Sequence, residues 1–135
     1  MNKQLADEVA RWHLNNGGYC DTPEVYKYHT LRLLHEAVEL CLASGANDLM
    51  VSDVLDEEIN KHKARYGDHT VISMDDISGE IADVAILLEL FAGCVEVDID
   101  LAVQDKLDIL HQRQWEPDIH GVLWRQRSGE EEPPP

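Results

Sequence analysis

Glu36 and Glu39 stand three residues apart in "LLHEAVELCLASG", Leu33 to Gly45, a run otherwise rich in leucine, alanine, valine and cysteine. Glu80 and Asp83 repeat that spacing at the head of "EIADVAILLELFAG", Glu80 to Gly93. Residues i and i+3 share one face of a helix, so each acidic pair projects together. A carboxylate set among apolar neighbours either takes up a proton or finds a counter-charge. Were the two helices to pack face to face, four carboxylates would converge. A hard divalent cation such as Mg²⁺ or Mn²⁺ then relieves the repulsion better than protonation, because such ions prefer oxygen donors. Acids at helical spacing are also ordinary members of a solvated helix face, and one pair alone reads that way. Two pairs, each within a strongly apolar run, favour a site.

The elements that must position these residues are helical, since the apolar residues recur mostly at helical spacing and strand signals are scarce. The pattern predicts an all-α bundle of about five helices. The first runs from Lys3 to Asn16 and stops at "NNGG", Asn15 to Gly18. Thr22 caps the second, Pro23 sits in its first turn, and it reaches Ala43 before Gly45. Ser52 opens a third, mixed in charge, that Gly67 closes. Asp75 and Asp76 precede the fourth, whose face is the most apolar in the chain, and Gly93 stops it. Asp98 caps the fifth, from Ile99 to Gln114, and Pro117 and Gly121 end helical structure. Apolar faces this broad on so short a chain predict a core shared between subunits. Residues 1–127 read as one domain, and 128–135, "SGEEEPPP", as a disordered tail with no apolar residue to offset ordering.

Composition excludes several classes. With 11 Lys and Arg against 27 Asp and Glu the formal net charge is −16, which opposes binding to a nucleic-acid backbone. Cys20, Cys41 and Cys94 are an odd, widely spaced set without a CxxC pair, so neither a disulfide framework nor a thiolate zinc site is expected. Cys41 and Cys94 lie in apolar helical runs and read as inert core residues. The segment "MNKQLADEVARWH" lacks the apolar stretch of a signal peptide, and no run approaches a membrane span. The expected location is cytoplasmic.

The acidic segments resemble the all-α nucleoside triphosphate pyrophosphohydrolases of the MazG-like group, which carry EExxE on one helix and ExxD on a later one. The matching residues are "HEAVE", His35 to Glu39, and "EIAD", Glu80 to Asp83. Similarity extends from "RWH", Arg11 to His13, to "KLDILHQRQWEPDIHGV", Lys106 to Val122, and so covers most of the chain. The resemblance implies hydrolysis of a nucleoside triphosphate to the monophosphate and pyrophosphate by a homodimer or homotetramer. It further implies that Glu36, Glu39, Glu80 and Asp83 hold Mg²⁺, and that Lys106 and Arg113 face the phosphates from the last helix. Their seven-residue separation agrees with one helix face. His35 stands where the family has its first glutamate, Leu110 where many members have asparagine, and the span between Glu39 and Glu80 is longer than usual. The general base is unassigned, with His35 a candidate.

Trp12 and His13 are candidates to pack on a nucleobase, although a half-buried indole and a surface imidazole explain them more plainly. Trp115 and Trp124, near Arg113, Arg125 and Arg127, form a cation and aromatic cluster that could close over phosphates or pack the C-terminal segment onto a neighbouring subunit. "EVDID", Glu96 to Asp100, has Val103 where a calcium loop opened by Asp98 needs glycine, and "HEAVE" lacks the second histidine of a zinc protease. A di-iron bundle expects Glu-x-x-His, which the chain does not contain. The alternative of a different class is a non-catalytic acidic bundle that senses nucleotides or binds a protein.

Overall fold

The computed structural model describes residues 1–68 and 72–126; the predicted tail, 128–135, lies outside the described residues. Among the described residues there are five helices, as the periodicity predicts: α1 (Lys3–Asn15), α2 (Pro23–Ala43), α3 (Asp48–Tyr66), α4 (Met74–Cys94) and α5 (Ile99–His111). Two short strands follow, β1 (Trp115–Pro117) and β2 (Leu123–Arg125).

The helix starts follow from local side-chain capping. Asn2 accepts from Leu5 N at 2.8 Å, Asn47 from Met50 N at 2.9 Å, Ser73 from Asp76 N at 3.3 Å and Asp98 from Leu101 N at 3.1 Å. Each cap satisfies a backbone donor that the first turn leaves free. Two starts therefore differ from the sequence expectation. α3 begins at Asp48 rather than Ser52, because Asn47, five residues before Ser52, supplies the cap. α4 is capped by Ser73, with Asp75 and Asp76 placed in its first turn, where acids suit the helix dipole. Thr22 precedes α2 as expected but makes no side-chain cap.

At its other end α4 runs past Gly93 to Cys94 and closes through Glu96, which adopts φ of 58°, while Val97 N donates to Ala92 O at 2.9 Å. That is a helix-ending turn with glutamate in the position that usually takes glycine.

The strands pair antiparallel, with Trp115 opposite Arg125 and Pro117 opposite Leu123. The sequence reading contained no hairpin, since three-residue strands are too short to show alternation.

α1 packs on α5, and α2 on α3, whereas α4 makes no extensive contact with any other element. The buried apolar residues are Leu5, Val25, Ala92, Leu107, Val122 and Leu123. Along α4, Ile81, Val84, Ile86, Leu87, Leu88 and Leu90 are all exposed. A helix this apolar on every side normally lies inside a core. The surface area agrees: the chain exposes 10690 Å², against about 7,100 Å² for a compact 15.3 kDa monomer. Cys41 and Cys94, expected in the core, are exposed, as is Cys20.

Candidate functional site

The best-built part of the molecule is the C-terminal hairpin and the helix ends that hold it. Asp118 organises its turn. One carboxylate oxygen accepts from His120 N at 2.8 Å and Val122 N at 3.1 Å, and the other accepts from the indole Nε1 of Trp124 at 2.9 Å. Burial pushes the Asp118 carboxyl upward. The donors of Trp124, His120 and Val122, with the charge of His120, outweigh it and hold the group below the ordinary carboxylate range. Val122, 2% exposed, is the most buried side chain of the turn. Gly121 has φ of 76°, and a Cβ there would collide with the Tyr19 carbonyl oxygen, so glycine is required twice over. Tyr19 also clips the hairpin by donating its backbone N–H to Gly121 O at 3.1 Å and its hydroxyl to Ile119 O at 2.7 Å.

Around this turn sits an aromatic and imidazole cluster. Tyr28 stacks on His120 with ring centroids 3.5 Å apart, and His29 Nε2 donates to the His120 carbonyl at 3.2 Å. His13 meets His29 edge-on at 5.8 Å, and burial, then the charge of His29, lowers its pKa. Trp12 packs edge-on against Trp115 at 5.1 Å, and its indole Nε1 is buried with no partner among the described residues. Trp12 and His13 are thus both half-buried, Trp12 against the hairpin and His13 against α2. Trp115 donates Nε1 to Leu110 O at 2.9 Å, so the leucine in place of an expected asparagine takes part through its backbone.

The hairpin also reaches the acidic stretch of α2. The guanidinium of Arg32 lies 5.0 Å from the centre of the Trp124 ring and donates from Nη1 to Glu36 Oε1 at 2.8 Å. His35 packs edge-on against the same indole at 5.8 Å. The cation on Trp124 is therefore Arg32, which the sequence reading passed over, rather than Arg113 or Arg125; Arg127 lies outside the described residues. Its local signal was present, since an arginine four residues before a glutamate on a helix is an ordinary ion-pair spacing. Asp118 was missed as well, although a proline–aspartate pair ahead of glycine marks a side-chain-stabilised turn.

The four predicted carboxylates lie where the sequence placed them along the helices, on exposed positions of α2 and α4. Glu36 pairs with Arg32, whereas Glu39, Glu80 and Asp83 make no hydrogen bond or ion pair with the described residues. Among the described residues of the single chain, no three His, Cys, Asp or Glu side chains gather as a metal-binding group. As donors the four suit a hard divalent cation, being all carboxylate. Lys106 is exposed on α5. Arg113 is not on that helix: α5 ends at His111, Gln112 caps it, and Arg113 sits half-buried in the following turn, donating N–H to Leu110 O at 3.2 Å. The seven-residue helical relation to Lys106 is thereby broken, because Trp115 starts the hairpin too soon for another turn of helix.

No family model, curated protein or solved structure matches the chain. Among the described residues no helix is long and apolar enough to cross a membrane.

Proposed function

We propose that the chain is a Mg²⁺-dependent nucleoside triphosphate pyrophosphohydrolase that works as a homo-oligomer, releasing a nucleoside monophosphate and pyrophosphate. One observation carries this reading: the paired acids at i and i+3 lie on helices that leave extensive apolar surface uncovered, and three of the four carboxylates have no partner among the described residues. Covering α4 with a second copy would enclose its apolar flank. It would also carry Glu80 and Asp83 from solvent to an interface, where charge must be neutralised. The likeness of "HEAVE" and "EIAD" to the MazG-like motifs supports the same assignment.

In this scheme Glu36, Glu39, Glu80 and Asp83 hold the cation, Mg²⁺ or Mn²⁺. When bound, such an ion neutralises triphosphate charge and makes water a stronger nucleophile at neutral pH. Lys106 contributes a further positive charge toward the phosphates, and His35, beside Glu36, supplies a nitrogen that can accept a proton from water. Phosphoryl transfer asks chiefly for positioning and charge neutralisation, which these residue types provide. A chain of net charge −16 would otherwise repel a nucleotide.

The test is incubation of the purified chain with each NTP and dNTP and Mg²⁺, with products identified by phosphorus NMR. Pyrophosphate and a monophosphate are expected. Glu39→Gln and Asp83→Asn, which remove ligand charge at nearly constant volume, should abolish turnover while leaving the far-UV circular dichroism unchanged. Nucleotide binding without turnover would favour the non-catalytic sensor.

A further inference from the structure

Three ion pairs of the described chain join side chains one turn apart on a helix, and one differs from the others. Lys3–Asp7 and Lys61–Glu58 are open to solvent at both ends, at 3.4 and 3.8 Å. Arg32–Glu36 is closer, at 2.8 Å, and asymmetric: the arginine side chain is 19% exposed and the glutamate 52%. Arginine is covered because its guanidinium rests on the Trp124 ring, and that ring is tethered through its Nε1 to Asp118. Glu36 takes up only Nη1. A guanidinium carries five N–H donors in a planar fork matched to phosphate oxygens, so most of that capacity is left over.

Arg32 is also well placed on the helix. Positions 32, 36 and 39 follow at i, i+4 and i+7, so the arginine shares a stripe with both acids of the first pair. A carboxylate cannot serve a divalent cation and a guanidinium fully at once. Stacking on an indole makes no such demand, because the ring face competes with neither anion. Cation binding at Glu36 would therefore loosen the ion pair while the stack keeps the guanidinium in place.

Resting on the proposed function, we propose that Arg32 is a phosphate-contacting residue, held by Glu36 until a divalent cation takes that carboxylate and then turned over to a phosphoryl oxygen of the triphosphate. Trp124 is the platform that keeps it aimed. Cation and phosphate binding are then coupled, each raising the affinity for the other.

The experiment is isothermal titration of the full chain with Mg²⁺ alone, and then with inorganic triphosphate at saturating Mg²⁺, for the wild type, Arg32→Gln and Arg32→Lys. Arg32→Gln should weaken triphosphate binding by about tenfold or more, the loss of a charge-assisted hydrogen bond. It should bind Mg²⁺ at least as tightly as the wild type, since a competitor for Glu36 is gone. Arg32→Lys, with charge but no fork, should fall between them, and circular dichroism confirms that all three fold alike. Unchanged triphosphate affinity in Arg32→Gln would overturn the assignment while leaving the proposed function standing. A parallel loss of Mg²⁺ affinity would reduce Arg32 to a prop for Glu36 and also overturn it. Failure of the wild type to bind either probe would end both proposals.

Discussion

Asp118→Ala is the substitution whose effect is most closely fixed by the structure. It removes the acceptor of three hydrogen bonds, from His120 N, Val122 N and Trp124 Nε1. A hydrogen bond to a charged group contributes about 1.5–3 kcal/mol, and three on one carboxylate are not additive, so a total near 3 kcal/mol is expected. For a chain of this size that corresponds to about 10 °C in melting temperature. Asp118→Asn keeps the shape and one good acceptor, and should lose roughly half as much. The pH dependence has a definite sign. Because the folded carboxyl lies below its ordinary value, its contribution is full at neutral pH, above the unfolded pKa of about 4, and disappears as pH falls through the folded value. Thermal melts followed by tryptophan fluorescence from pH 7 to 2, at one fixed chain concentration, read both effects. The wild type should lose stability below about pH 4 more steeply than Asp118→Ala. An alanine variant within about 0.5 kcal/mol of wild type at pH 7 would refute the role given to this carboxylate.

His13 titrates in the opposite charge sense but with the same direction of effect. Its folded pKa is lowered, so the unfolded chain binds the proton more readily, and stability should fall as pH drops below about 6.5 toward the folded value. His13→Gln should flatten a melting-temperature profile between pH 7 and 5.5. Gly121→Ala combines a left-handed backbone with a collision on Tyr19 and should destabilise by about 1–3 kcal/mol in denaturant titration. Leu87, 63% exposed on α4, is a position that oligomerisation would cover. Leu87→Glu should shift sedimentation toward smaller species and lower the melting temperature, whereas a monomeric wild type at tens of micromolar would contradict the assembly.

Capping chemistry is local, which is why the helices were readable from the chain. Proline in the first turn placed α2, and Asp98 placed the start of α5. Errors arose where two local signals competed, as when Asn47 displaced Ser52 as the start of α3. The strands of the hairpin were illegible because each is three residues long, and what holds the hairpin comes from distant residues: Tyr19 on Gly121, Tyr28 and His29 on His120, and Arg32 on Trp124. The end of α5 moved with it and took Arg113 off the helix. The acidic pairs could be located in sequence because i and i+3 spacing is a helical fact. Which surface they face was not legible, since periodicity does not say which elements pack on α4.

The bare flank of α4 also bears on inheritance and biogenesis. If the chain completes its interior only against another copy, its maturation is second order: protease resistance appears at a rate set by how often nascent chains meet, and dilution undoes it. Mixed assemblies then become informative, because a subunit defective at Glu36 and one defective at Asp83 can each lend the other its intact half. If the proposed function holds, two inactive variants co-expressed would restore turnover that neither possesses alone.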